Sequence, residues 1–157
     1  MITRYGYDVF FTVATLCLVL IVLAFLFIEP RGLRYVLAGF ALVVFGLTAN
    51  FFRDPERVSP SGDNLVIAPA DGKIIQVRNV REPDYLGSDA VQISIFMSPL
   101  DVHVNRNPIS GVVGYLRYTP GQYFAAFEDK ASERNEQNAI GIQSGHMRVL
   151  FRPAGSL

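Results

Sequence analysis

The sequence predicts a two-helix membrane hairpin followed by a mostly-β domain, sandwich- or barrel-like. Three observations lead to this fold class. Two long apolar runs lie near the N-terminus, a polar stretch rich in proline and glycine follows them, and a series of short β-branched segments fills the rest. We therefore expect the hairpin over residues 1–52, a linker over 53–63 and a β-rich domain over 64–157.

The hairpin prediction rests on the runs Val9 to Ile28 and Tyr35 to Phe52, neither of which contains a charged residue. As helices they would be about 30 Å and about 27 Å long, close to the thickness of a hydrocarbon core. The connection Glu29 to Arg34 contains a proline, a glycine and charged residues, so we expect it at a membrane surface. Helices lying in the interface, or buried in a soluble core, are the alternatives; runs of this length without an amphipathic stripe favour the spanning hairpin.

The first apolar run is interpreted as a retained helix, because it is longer than a signal-peptide core and no small-residue cleavage site follows it. Basic residues flank both sides of the hairpin, so the positive-inside rule does not decide its orientation. Because the short hairpin gives no obvious route for export, we expect a cell (inner) membrane protein with a cytoplasmic C-terminal domain.

The β-rich domain is predicted from seven apolar or alternating segments separated by turn residues. They are LVIAPA, KIIQVRNV, AVQISIFM, VHVNR, GVVGYLRYT, NAIGIQ and HMRVLF, between residues 65 and 151. One short helix is expected around Phe124 to Arg134.

Composition argues against nucleic-acid binding and against a metal site. Lysine and arginine (14) only equal aspartate and glutamate (14), so no basic excess indicates nucleic-acid binding. The lone Cys17 lies in an apolar run and is expected to be a small buried hydrophobe. One cysteine and two distant histidines do not make a metal-ligand set.

Two segments carry candidate chemistry. In APADGKI, Asp71 precedes a glycine, which is also a strong turn signal, so a purely turn-stabilising role is the alternative. In FMSPLDVHVNRNPISG, His103 is a candidate for proton transfer near neutral pH, and a structural histidine is the alternative. His146 lies in the turn-like SGHMR and is expected at the surface. The polar run that contains Lys130 is most simply a solvated loop or helix face.

The succession of FFRDPER, APADGKI, FMSPLDVHVNRNPISG and YTPGQYFAAFEDKASERNEQNA, behind an apolar hairpin, resembles the short form of phosphatidylserine decarboxylase. The resemblance implies a proenzyme that cleaves itself at a Gly-Ser bond and converts the serine into a pyruvoyl cofactor on a small subunit. It further implies that phosphatidylserine, bound as a pyruvoyl Schiff base, loses carbon dioxide and yields phosphatidylethanolamine. The cofactor provides the electron sink that ordinary side chains lack.

The resemblance assigns residues as follows. Asp71 and His103 match the aspartate and histidine expected to orient and deprotonate the serine, and His103 is also expected to manage the proton that replaces the carboxylate. Longer members have a second histidine where this chain has Arg106. Arg106 and Lys130 are candidates for binding the phosphate or carboxylate of the substrate. Arg53 and Arg57 are expected near an anionic head group.

The resemblance also predicts a missing part. The chain contains Gly155-Ser156 and Gly87-Ser88, and neither matches the position of the family's cleavage site. The chain is therefore interpreted as most of the membrane-associated large subunit, with the pyruvoyl serine beyond its C-terminus and no activity by itself. Unpaired strand edges are expected to make the β part marginally stable. The partners expected are the phospholipid, the membrane and the small pyruvoyl-bearing subunit.

Two other functions stay open from the sequence. The run EDKA around Lys130 is similar to the lysine turn of a lipoyl or biotinyl carrier, although the flanking strands do not clearly match. A non-catalytic relative that binds phospholipid is the second alternative.

Overall fold

The computed structural model describes residues 1–60, 62, 64–122 and 135–155. They divide into two compact units. The first contains Met1–Arg57 and Pro99–Val104, and the second contains Val58–Ser98 and Asn105–Leu157. The predicted short helix at 124–134 and Lys130 lie outside the described residues.

The first unit is built on two antiparallel helices. A 3-10 turn, Arg4–Gly6, leads into α1 (Tyr7–Phe27), and α2 follows as Arg31–Phe51. By length and composition both helices could cross a membrane. The seam between them buries the small residues Cys17, Ala24 and Ala41, which let two helix backbones approach closely. The prediction of two long apolar helices is confirmed, as is the burial of Cys17.

The connection between the helices is held by Arg34. Its guanidinium donates two hydrogen bonds to the carbonyl of Ile28, at 2.7 and 3.2 Å. This carbonyl lies just past the last turn of α1, where backbone acceptors have no partner within the helix. The same guanidinium lies 5.3 Å from the centre of the Phe25 ring, a cation–π contact. One side chain of α2 therefore closes the end of α1.

The opposite end of the hairpin is closed by backbone pairing. The N–H of Thr3 donates to the carbonyl of Phe52 at 2.8 Å, and the N–H of Asp54 donates to the carbonyl of Met1 at 2.6 Å. A Cβ at Gly6 would overlap the Phe52 ring, so only glycine allows this close approach. The start of α1 and the end of α2 are thus fixed side by side.

The second unit consists of two antiparallel sheets. The first pairs β1 (Lys73–Glu82) with β2 (Ser88–Phe96), in a register that runs from Lys73↔Phe96 to Glu82↔Ser88. The second has the order β3-β4-β5, formed by β3 (Val112–Thr119), β4 (Gln137–Ser144) and β5 (Met147–Phe151). The mostly-β prediction is confirmed. Within the described residues the strands do not close into a barrel.

Two of the seven predicted strands are wrong. Residues 65–70 and 102–106 are irregular. Two hydrogen bonds join residues 65–70 to residues 106–108, from the N–H of Ile67 to the carbonyl of Pro108 and from the N–H of Arg106 to the carbonyl of Pro69, both at 2.8 Å. The pairing stops there because proline has no N–H to donate to a ladder.

A buried carboxylate organises the turn between β1 and β2. Glu82 accepts hydrogen bonds from the backbone N–H groups of Asp84, Tyr85 and Leu86, and its side chain is 8% exposed. Arg152, just after β5, donates to the same carboxylate at 2.9 Å. Burial raises the pKa of Glu82, but the three N–H groups and then the charge of Arg152 outweigh burial and lower that pKa overall.

The same turn is also held from β5. Arg148 donates to the carbonyls of Tyr85 and Leu86, at 3.2 and 2.8 Å, and its guanidinium lies 5.9 Å from the centre of the Tyr85 ring. The Tyr85 ring also faces Tyr115 of β3 at 5.6 Å. Contacts from β3, β5 and Arg152 therefore tie the two sheets together at this turn.

Candidate functional site

The candidate histidine, His103, lies in Pro99–Val104, hereafter the histidine segment. This segment belongs to the helical unit although β-strand sequence flanks it on both sides. The half-buried imidazole stacks on the ring of Phe51, the last residue of α2, with ring centres 4.3 Å apart and planes 25° apart. The chain therefore holds its candidate proton-transfer group against the end of a helix.

A second contact fixes the orientation of the imidazole within its plane. Nδ1 of His103 lies 3.2 Å from the backbone carbonyl of Asp101. A carbonyl oxygen can only accept a hydrogen bond, so this contact requires the proton on Nδ1. In the neutral ring, Nε2 then carries the lone pair and is the atom able to accept a proton. The arrangement is suited to a general base that acts through Nε2.

The histidine segment is anchored to the end of α2. Arg53 donates to the carbonyl of Leu100 at 2.9 Å and to the carbonyl of Asn50 at 2.7 Å. The amide of Asn50 adds a longer contact of 3.4 Å to the same Leu100 carbonyl. Val102 is 3% exposed, which buries the middle of the segment. Hydrogen bonds and burial together restrict how far the His103 backbone can move.

Asp71 lies at the entrance to β1 and is half-buried. It does not form the hairpin turn that its Asp-Gly pair indicates, because no strand precedes it. A Cβ on the neighbouring Gly72 would overlap the carbonyl oxygen of Phe96, at the end of β2. The glycine therefore allows the APADG backbone to lie directly against the start of the FMSPLDVH motif.

Arg106 lies in the β unit and its backbone is paired with the APADG motif through the bond to Pro69 described above. The backbone pairing thus brings the NRNP sequence alongside the residues just before Asp71. Asp71 and Arg106 belong to one unit and His103 to the other. The pairing of Asp71 with His103, and the roles of Arg106 and Lys130 in binding substrate, remain predictions.

His146 occupies the two-residue turn between β4 and β5 and is exposed, as predicted. Gly145 precedes it with a φ of 58°, a value that glycine adopts without strain. His146 is therefore a natural internal reference for measurements on His103.

Sequence reasoning did not assign the residues that position His103. FFRDPER contributes to the resemblance only as a motif, and Arg53 is expected near a lipid head group. In the structure its guanidinium binds two backbone carbonyls. Hydropathy and turn signals describe neighbours along the chain, whereas Arg53 and Leu100 are 47 positions apart. A contact at that separation leaves no local signal in a single sequence.

The described residues thus form two long apolar helices followed by antiparallel sheets, with one imidazole held in a defined orientation. Comparison with known proteins defines the family. The family model for phosphatidylserine decarboxylase matches residues 44–157. The chain belongs to the phosphatidylserine decarboxylase family.

Similar proteins cover nearly the whole chain. The phosphatidylserine decarboxylase proenzyme of Chlorobium phaeobacteroides is 42% identical over 96% of this chain and 70% of its own length. The proenzyme of Chlorobium chlorochromatii is 44% identical over the same shares. That of Cytophaga hutchinsonii is 37% identical over 99% of this chain and 72% of its own length. The resemblance inferred from the four motifs is confirmed.

Proposed function

We propose that this chain provides most of the membrane-associated large subunit of a phosphatidylserine decarboxylase, which converts phosphatidylserine to phosphatidylethanolamine. The observation that carries the proposal is the orientation of His103, whose Nδ1 faces the Asp101 carbonyl and whose ring is stacked on Phe51. Relatives named as proenzymes of this decarboxylase, at 42% identity over 96% of the chain, support it.

The reaction makes two chemical demands. Breaking the bond between Cα and the carboxylate leaves an electron pair that needs an acceptor, and Cα must then receive a proton. In this family the electron acceptor is a pyruvoyl group made from a serine of the proenzyme. The second demand can be met by an ionisable side chain of this chain.

His103 is proposed to meet the second demand. With Nδ1 hydrogen-bonded to Asp101, Nε2 accepts a proton and can return it, so one atom can serve both directions of transfer. The same atom is proposed to take the hydroxyl proton of the serine during self-cleavage. Asp71 is proposed to orient this exchange, by analogy with the carboxylate of a Ser-His-Asp triad.

His103 fits the role of the base, but the Gly-Ser pairs of this sequence do not fit the role of cofactor precursor. Of the two Gly-Ser pairs in the sequence, Gly87-Ser88 lies at the β1–β2 hairpin, where Gly87 has a φ of 65° and Ser88 pairs with Glu82. A cut there would open this hairpin. The second pair, Gly155-Ser156, extends past the described residues. We propose that the serine belongs to the part of the relatives that the alignment leaves uncovered.

Membrane anchoring is proposed for the two helices. Large apolar side chains cover their outer surfaces, with Leu16 63% and Phe27 74% exposed. Such a surface is unfavourable in water and favourable in lipid. A lipid substrate keeps its acyl chains in the bilayer, so an anchored catalytic domain stays close to the head groups. The proposed location is the cell (inner) membrane, with the β unit in the cytoplasm.

Arg106 and Lys130 are proposed to bind the anionic phosphate or carboxylate of the substrate. The argument for both residues is chemical, since cations of this kind pair with such anions. Replacing each by glutamine should raise KM for phosphatidylserine more than it lowers kcat.

The test of the function is product formation by a completed chain. The 157 residues are fused to the C-terminal part of the Chlorobium phaeobacteroides relative that the alignment does not cover. This fusion protein is reconstituted in vesicles containing phosphatidylserine. Mass spectrometry should detect phosphatidylethanolamine and a new, blocked N-terminus on the smaller fragment. The relative's C-terminal part without this chain is the control.

Two outcomes would overturn the proposal. Vesicle binding without any phosphatidylethanolamine, in a chain that has processed itself, would indicate a non-catalytic phospholipid-binding relative. An acyl-type adduct on Lys130 would indicate a carrier. Family membership over most of the chain favours the decarboxylase over both.

A further inference from the structure

The contact between Phe51 and His103 connects a helix of the hairpin with the candidate base. Both residues belong to the helical unit. Their rings are nearly parallel at 25° and their centres are 4.3 Å apart. Parallel contact of this kind buries one face of the imidazole and limits rotation of the ring out of that plane.

The stack and the hydrogen bond restrict different motions. The Phe51 ring fixes the plane of the imidazole, and the Asp101 carbonyl fixes which nitrogen points toward the histidine segment. A histidine side chain has two rotatable bonds, and its terminal torsion is soft. Both contacts are therefore needed to keep Nε2 pointing in one direction.

We infer that Phe51 is a positioning residue for His103: its ring holds the imidazole plane so that the Nδ1–H tautomer and the direction of Nε2 are preserved. The inference rests on the proposed function for its catalytic consequence. The positioning of the imidazole can be tested independently of that function, because the His103 tautomer can be measured without any reaction.

Phe51 links the candidate base to the helix that is proposed to anchor the chain in lipid. Phe51 is the last residue of α2 and belongs to the same compact unit as His103. The candidate base is thus held at the end of the hairpin. With the helices in a bilayer, the end of α2 would lie in the head-group layer, where the serine of the substrate also lies.

The test uses the two histidines of the chain. The full chain, labelled with 15N-histidine, is placed in lipid bicelles at a pH where both rings are neutral, and the ring nitrogen signals are recorded. We expect His103 to be a single Nδ1–H tautomer and the exposed His146 to show a tautomer mixture. Phe51→Leu should convert His103 to a mixture of tautomers and leave His146 unchanged. Phe51→Tyr, which keeps an aromatic ring at this position, should retain the single His103 tautomer.

A matched control separates positioning from loss of fold. Phe45→Leu makes the same change in the same helix at a residue that contacts Phe10 and not His103. It should leave the His103 tautomer unchanged. If Phe45→Leu disturbs the tautomer as much as Phe51→Leu does, or if Phe51→Leu has no effect, the inference is wrong.

Activity gives an independent readout. In the completed chain, Phe51→Leu should lower kcat by a factor on the order of 10 to 100 with little change in KM, since small misplacements of a reacting group have effects of this size. A tautomer change without phosphatidylethanolamine formation by any variant would contradict the proposed function alone. Normal turnover by Phe51→Leu would contradict the inference alone.

Discussion

The guanidinium of Arg53 donates a 2.9 Å hydrogen bond to the carbonyl of Leu100, across 47 positions of sequence. This bond attaches the histidine segment to the chain just past α2, two residues after Phe51, which stacks on His103. Arginine suits the task because its planar fork can reach two carbonyls at once, and here it also donates to Asn50 at 2.7 Å.

Loss of the Arg53 guanidinium should make the histidine segment more mobile. Arg53→Gln removes the charged donor, and hydrogen bonds to charged groups contribute about 1.5–3 kcal/mol. We expect amide hydrogen exchange across residues 99–104 to become at least about tenfold faster, which corresponds to about 1.4 kcal/mol. Exchange is measured by mass spectrometry on the chain in bicelles. Arg31→Gln, at an exposed arginine at the start of α2, is the control, and equal exchange in both variants would refute the anchoring role.

Replacement of Gly72 should destabilise the β unit. A Cβ at this position meets the backbone carbonyl of Phe96, which cannot move without shifting β2. Overpacking of this kind costs about 1–3 kcal/mol. Gly72→Ala should therefore lower the unfolding temperature, followed by the near-UV signal of tyrosine.

The control for Gly72 is Gly39→Ala, where nothing lies within 4 Å of the added Cβ. Alanine is favoured over glycine in a helix by about 1 kcal/mol, so this variant should not be destabilised. A Gly72→Ala protein that unfolds at the wild-type temperature would contradict the close approach of the two motifs.

Acid should weaken the contacts of Glu82. The pKa of Glu82 is lower in the folded chain than its ordinary value of 4.5, because hydrogen bonds and Arg152 outweigh burial. A carboxyl of this kind adds stability above its unfolded pKa, and that stability is lost as the pH falls through its folded pKa. Unfolding temperatures measured from pH 7 to below 4.5 should show the loss.

Glu82→Gln isolates this group. The variant should be less stable than the wild type at pH 7, since it leaves Arg152 without its carboxylate partner, and its stability should fall less steeply in acid. If the unfolding temperature of the variant follows the same pH dependence as that of the wild type, a group other than Glu82 causes the loss of stability in acid.

Insertion of the hairpin can be tested at Leu18, which is 62% exposed near the middle of α1. Leu18→Arg places a charge near the centre of the proposed span, at a cost of about 2.5–3.5 kcal/mol on insertion scales. The variant should be extracted from membranes by alkaline carbonate, whereas Leu18→Phe should stay with the lipid. Equal retention of both variants would argue against a spanning helix.

The helices were predictable because their signal is local. The charge-free run from Val9 matches α1 to within two residues at its start, and Asp8 joins the first turn, where a negative charge is favourable. The second helix begins at Arg31 rather than Tyr35, because Arg34 turns back to the Ile28 carbonyl and its charge does not end the helix.

The β unit was predictable only in part. Five of the expected strands exist because alternation is also a local signal. The other two contain or face Pro69 and Pro108, whose missing N–H groups limit pairing to isolated bonds. The candidate site depends on contacts such as Phe51 to His103, which connect distant segments and arise from tertiary packing.

The most consequential role proposed for this chain is proton transfer by His103 during decarboxylation. Its most direct test is the release of 13CO2 from carboxyl-labelled phosphatidylserine by the completed chain, expressed per processed molecule so that self-cleavage and turnover are separated. We predict that His103→Gln lowers this rate by a factor of about 100 or more, in line with the usual effect of a general acid–base group, while His146→Gln leaves it unchanged. A His103→Gln enzyme that releases 13CO2 at the wild-type rate would contradict the account.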